Sequence, residues 1–183
     1  MSLIDEQLAR LAREHEDRNE KRAAERASAS APHAEVAGVI EVSAERMQEL
    51  SAHNATMAEA RVAFAAFDFE NGPVASFLEF ILASAVRLRA SDIHIEPQEG
   101  GIAVRLRIDG VMGEMGIMPL SYYHLFSSRL KLTARMKLNA DRPQDGRFSA
   151  RFSEAQVEVR ASSVPSQYGE TVVLRVLDPH ALQ

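Results

Sequence analysis

Arg105 and Arg107 stand one residue apart in Val104-Arg-Leu-Arg-Ile-Asp109, where apolar and polar side chains alternate. On a strand, that alternation sends both guanidiniums to one face, about 7 Å apart by strand rise, a spacing suited to neighbouring oxygens of one polyphosphate. The same two side chains can instead pair with Asp92 and Glu96 in a cross-strand ladder. Arg147 follows a polar loop and Arg160 lies on the polar face of a later strand, so both join the first pair if the strand order brings them together. Groups for bond-breaking chemistry are missing. The sequence holds no Gly-x-x-x-x-Gly-Lys-Ser/Thr, no Gly-x-Ser-x-Gly and no Gly-x-Gly-x-x-Gly, so it carries no nucleotide engine or nucleophile elbow of its own. His94-x-Glu96 echoes a zinc deaminase signature, but that chemistry needs downstream cysteines and the chain has none. His94 therefore reads as a polar strand residue bonded to a carboxylate or carbonyl, and no metal site is expected. The same lack of cysteine excludes disulfides, thiolate metal sites and cysteine nucleophiles, and suits a reducing compartment.

The elements that must position these arginines fit in 183 residues, enough for one compact domain and a smaller element. Hydrophobic residues make up 46 % and charged residues 26 %, near the globular average. The net charge of -5 conceals an asymmetry: residues 101–160 hold ten Lys/Arg against six Asp/Glu, leaving the rest of the chain acidic. Such a basic block suits a phosphate-bearing ligand or an acidic partner, or serves as a solvated face. A single-stranded nucleic acid would need aromatics interleaved with the arginines. Tyr122, Tyr123, Phe126, Phe148 and Phe152 instead fall where core is expected, so no nucleic acid is expected as partner. No apolar run approaches the ~20 residues that cross a bilayer, and the N-terminus is too charged for a secretory signal. The chain reads as cytoplasmic.

Residues 5–27 set seven acidic and six basic side chains around Ile4, Leu8 and Leu11, predicting a loose charged helix, and Ala27 to His33 reads as a linker. Residues 1–34 thus form a tail, and 35–72 a helical spacer. In the spacer one helix is predicted from an N-cap at Ser43 through Met47, Leu50, Asn54, Met57 and Arg61, ending before Asn71-Gly72-Pro73. After Pro73, the recurrence of Val74, Phe77, Leu78, Ile81, Leu82, Ala85 and Val86 predicts a helix packed on a sheet. The period then changes to two, giving half-buried strands around Ile93-Ile95 and Val104-Ile108 joined by Gln98-Glu99-Gly100-Gly101. A third strand is predicted over 111–118. Pro119 and Ser121 open a helix whose buried side would hold Leu125, Phe126, the Arg129 stem, Leu130, Thr133 and Met136. Strands are predicted over 147–152, 156–162 and 171–177. The pattern implies an α+β fold, an antiparallel or mixed sheet with helices against one face.

Five further stretches now carry a resemblance. Ala90-Ser-Asp-Ile-His-Ile-Glu-Pro97, Val104-Arg-Leu-Arg-Ile-Asp-Gly-Val111, Ser128-Arg-Leu-Lys with Ala134-Arg135, Pro143-Gln-Asp-Gly-Arg147, and Val159-Arg-Ala-Ser-Ser-Val-Pro165 with Tyr168-Gly-Glu-Thr-Val-Val-Leu-Arg-Val-Leu-Asp178 occur in order. Together they resemble the second N-terminal domain of the type II secretion and type IV pilus assembly ATPases, over about residues 73–178. The resemblance implies a PAS-like regulatory module ahead of a RecA-like ATPase domain, with 179–183 opening the linker to it. It implies ATP and magnesium in the full-length protein, none held by this stretch alone. It also implies a homo-hexamer at the cytoplasmic face of the inner membrane, bound there through platform proteins. Arg105, Arg107, Arg129, Arg147 and Arg160 match arginines of the family's motifs, which are thought to reach ATP phosphates held by the motor domain. No catalytic residue is expected here, since the Walker motifs, the catalytic acid and a four-cysteine metal insert belong to the motor domain. Gly113 departs from the family, which often has a longer polar or basic side chain there. The fold would equally permit a small-ligand sensor or an interaction module with no part in ATP turnover.

Overall fold

Alternation and turn chemistry fix most of the architecture. The computed structural model describes residues 38–51, 55–139, 141–152 and 155–177, all within the unit Val36–Gln183. The helix predicted over 5–27, the linker after it and residues 179–183 lie outside the described residues. In chain order the elements are β1 (Val39–Val42), α1 (Ala44–Ser51), α2 (Met57–Ala65), α3 (Val74–Arg87), β2 (Ala90–Gln98), β3 (Gly101–Ile108), β4 (Val111–Met118), α4 (Leu120–Thr133), β5 (Gln144–Phe152), β6 (Ala155–Ser166) and β7 (Gly169–Leu177). The seven strands form one sheet in the order β1-β5-β6-β7-β2-β3-β4. β1 runs parallel to β5 and every other pair is antiparallel, so the sheet is mixed and the fold is α+β.

A tight turn sets the register of the β3–β4 pair. Asp109 and Gly110 both take positive φ, 50° and 80°, the conformation a tight hairpin demands between β3 and β4. With register fixed, alternate residues divide between the faces. Ile93, Ile95, Val104, Leu106, Phe148, Val159, Val172 and Leu174 are buried and join the helices in one apolar cluster. The ring of Phe77 organises that layer, meeting Phe64, Phe67, Phe69, Phe80, Tyr122 and Phe126 with centroids 5.0 to 6.1 Å apart, mostly edge to face. The other residues of the strands are largely polar.

Three expectations are corrected. The single helix predicted in the spacer is two, because Thr56 and Glu59 form a capping box that starts α2 afresh: Thr56 Oγ1 accepts from the Glu59 amide at 3.2 Å, and Glu59 Oε2 accepts from the Thr56 amide at 3.1 Å. The spacer is also not wholly helical, since Val39–Val42 forms the edge strand β1. In α4, Leu125 is 63 % exposed, whereas Tyr122, Tyr123 and Lys131 are buried beside Phe126 and Leu130. The aromatic rings reach the Phe77 cluster and turn the helix about its axis relative to the predicted face.

Candidate anion-binding face

The sheet order aligns charged residues across five strands. Arg147 lies opposite Arg160, Arg160 opposite Arg175, Arg175 opposite Asp92, and Asp92 opposite Arg107. Directly opposed residues of antiparallel strands have Cα atoms about 4.5–5.5 Å apart, so four arginines and one aspartate form a continuous row on the face away from the helices. Arg105 sits two residues from Arg107, in the adjacent row opposite His94. Four of the five arginines expected at the site, Arg105, Arg107, Arg147 and Arg160, thus share one face. Arg129 does not join them. It is exposed on α4 and lines a small cavity of about 180 Å³ with Val39, Ala75, Leu78, Glu79 and Thr133, in the helix layer.

The arginines differ in their partners. Arg105 Nη1 donates to Glu96 Oε2 at 2.8 Å, and His94 Nδ1 stands 3.4 Å from Glu96 Oε1, so this corner is an internal ladder. Asp92 is buried and receives Arg175 Nε at 3.0 Å and the Ser91 hydroxyl at 2.8 Å, with Arg107 Nε at 3.7 Å. Burial alone would raise the Asp92 carboxyl, but the Ser91 hydroxyl, Arg175 and His94 together hold it below its ordinary 3.8. Among the described residues Arg160 has only Glu158 of its own strand as an ion-pair partner, at 3.8 Å. Among the described residues Arg147 has no ion-pair partner. The side chains of Arg160 and Arg175 are 66 % and 65 % exposed, against 30 % for Arg105.

Like charges directly opposite one another on a sheet are destabilising, so Arg147, Arg160 and Arg175 on consecutive strands form a cationic surplus that the fold leaves open. Each guanidinium is a planar fork of donors matched to carboxylate or phosphate oxygens. Such a face can neutralise and orient an anion. Among the described residues, no group of three or more His, Asp or Glu is placed to hold a metal ion. Arg175 was not among the residues singled out from sequence. Its place in the row follows from β7 lying between β6 and β2, an order that strand periodicity does not contain. Gly113 lies opposite Leu106 on the helix side, where an added Cβ would come 3.1 Å from Met57 Cε of α2. A longer side chain there would meet α2 rather than an anion on the open face.

Residues 68–183 match the family described as Type II/IV secretion system protein. The chain belongs to this family. Among its relatives, the type IV pilus assembly ATPase PilB of Acinetobacter baylyi is 38 % identical over 112 residues, covering 60 % of this chain and 19 % of that protein. The putative type II secretion system protein E of Escherichia coli is 43 % identical over 112 residues, covering 61 % and 23 %. PilB of Myxococcus xanthus is 40 % identical over 116 residues, covering 62 % and 20 %. The matched stretch thus spans about a fifth of the length of these secretion and pilus relatives. Among the described residues, no helix is long and apolar enough to cross a membrane.

Proposed function

We propose that this secretion-family chain supplies the regulatory module of a pilus-assembly or type II secretion ATPase. Residues 73–178 form its PAS-like lid, and the open sheet face closes over ATP held with magnesium by a following RecA-like motor domain. The observation that carries this reading is the row Arg147, Arg160 and Arg175 on three adjacent strands, Arg147 half-buried and the other two exposed, with a single buried carboxylate at its end. A guanidinium that meets charge developing on a transferring phosphoryl group lowers the barrier, and its delivery from a movable domain makes hydrolysis conditional on closure. In this reading Arg105 and Arg107 chiefly brace the face through Glu96 and Asp92, and Arg129 serves the helix layer. The assembly would be a homo-hexamer bound at the inner membrane through platform proteins, consistent with relatives named as pilus-assembly and secretion components.

Titration of the 183-residue chain with tripolyphosphate tests the reading without a motor domain. Binding that weakens with added salt and is lost in Arg160→Ala and Arg175→Ala supports it; heat or spectral changes indistinguishable from buffer would end it. The parent gene should also encode Gly-x-x-x-x-Gly-Lys-Ser/Thr within roughly a hundred residues of Gln183.

A second reading rests on a different observation. A groove of about 630 Å³ between α1, α2 and α3 is lined by Leu50, Val62, Ala63, Phe67 and Phe80, with Arg46 and Glu59 at its rim. That composition suits a small apolar ligand and hence a sensor. Native mass spectrometry of the purified chain decides it: a stoichiometric apolar molecule favours the sensor, and a bare mass disfavours it.

A further inference from the structure

Lys131 is a buried lysine in the last turn of α4, and both its ends are engaged. Its carbonyl accepts from the Met136 amide at 2.8 Å, and the Leu132 carbonyl accepts from the Arg135 amide at 3.3 Å, closing the helix in a Schellman turn. The C′ position of that turn is usually glycine, yet Arg135 occupies it with φ 55°. The Lys131 ammonium then crosses to Glu170 at the start of β7 and donates to the Leu138 carbonyl at 3.1 Å. The Glu170 carboxylate also accepts from Ser163, and its backbone carbonyl accepts from the Tyr123 hydroxyl. A buried ammonium is costly unless paired and hydrogen-bonded, so this one cation fastens α4, β7 and the loop after α4 at a single point.

What the loop leads into gives the fastening its consequence. Lys137 is gripped through both backbone groups by the Gln144 side chain, at 2.8 and 2.9 Å. Gln144 opens β5 opposite Ser163, which itself donates to Glu170. Gly146 lies so close to the helix end that an added Cβ would come 2.4 Å from the Ala134 carbonyl oxygen. The next residue is Arg147. We propose that Lys131 and Glu170 are positioning residues: their pair holds residues 136–138 and, through the Lys137–Gln144 contacts, the entry of β5, so that Arg147 stands in register with Arg160 and Arg175. The proposal rests on the phosphate reading for its purpose, but its structural claim stands apart.

Three variants of the 183-residue chain test it: Lys131→Met, Glu170→Gln and the double variant. Lys131→Met leaves Glu170 part-buried without its cation, so it melts earlier than wild type. The double variant has no buried charge, and the amide oxygen introduced by Glu170→Gln can still accept from Ser163, so it regains most of that loss. Amide exchange over residues 137–147 is expected to quicken about tenfold or more in both Lys131→Met and the double variant, the size of effect that follows losing a charged donor, while β2 and β3 keep their protection. Tripolyphosphate binding should fall in the double variant as far as in Arg147→Ala. A purely structural pair would recover loop protection along with melting temperature. Wild-type exchange over 137–147 in the folded double variant would overturn the proposal, and so would a loosened loop with binding intact where Arg147→Ala weakens it. If wild type and all arginine variants fail alike to bind, the phosphate reading falls, and exchange of the Arg147 amide alone decides whether the pair holds β5.

Discussion

The two halves of the open face use the same residue type to opposite ends. On β2 and β3, Arg105 is tied to Glu96 and Arg107 leans on buried Asp92. On β5, β6 and β7, Arg147, Arg160 and Arg175 stand in line, and among the described residues their carboxylate partners are that same Asp92 at one end and Glu158 at 3.8 Å from Arg160. One half completes its electrostatics within the fold and the other leaves a surplus of positive charge on the open face. Counting basic residues along the chain cannot separate these roles, because what distinguishes them is which strand lies next to which.

The largest expected effect sets the halves against each other in a motor-bearing protein. Arg160→Ala or Arg175→Ala should lower ATP turnover by roughly 100-fold or more, as for loss of one preorganised donor to a transition state. Arg105→Ala should stay within about threefold, since its partner is internal and partly exposed. Equal losses from both halves would erase the distinction. Next, Asp92→Asn removes the single carboxylate of the row and should tighten tripolyphosphate binding about three- to tenfold, measured by titration calorimetry at fixed salt. The same variant has a pH signature. The Asp92 carboxyl lies below 3.8 in the fold, so its contribution is complete above the unfolded value and fades as pH falls through that value toward the lower folded one. Melts between pH 6 and pH 3 should therefore show wild type losing stability relative to Asp92→Asn at the acid end. The smallest effect is that of Glu96→Gln. The Glu96 and Arg105 side chains are 29 % and 30 % exposed, so the variant should cost less than about 1 kcal/mol, a melting shift of roughly 2–4 °C at most, with turnover unchanged.

Much of this was readable from residues alone. Ile93 and Ile95 against Asp92 and His94, and Val104 and Leu106 against Arg105 and Arg107, gave two strands and their faces, because a period of two admits no other element. The spacer was less transparent. Sparse apolar residues at helical spacing from Met47 to Arg61 suggested one continuous helix, although Thr56 and Glu59 already spelled a fresh start. Val39-Ile-Glu-Val42 is too short to show periodicity, and its strand state depends on β5 being there to pair. In α4, leucine outranks tyrosine in hydrophobicity, but Tyr122 packs against Phe67 and Phe69 of the loop after α2 and Phe77 of α3. The place of Arg175 is not legible in the sequence for a topological reason: the adjacency of β6, β7 and β2 is what sets it between Arg160 and Asp92.

The edge strand β1 has a practical consequence. The family motifs begin near Pro73, and a fragment cut there would keep every arginine of the row. It would also strip β1 from β5, baring a run of unpaired amides and carbonyls beside Phe148, Ala150 and Phe152. A raw, apolar sheet margin recruits other copies, so such a fragment should elute as soluble aggregates on size exclusion while a chain retaining Gly38 onward stays discrete. The smallest piece that can be handled alone is therefore set by backbone pairing thirty-odd residues upstream of where sequence similarity begins.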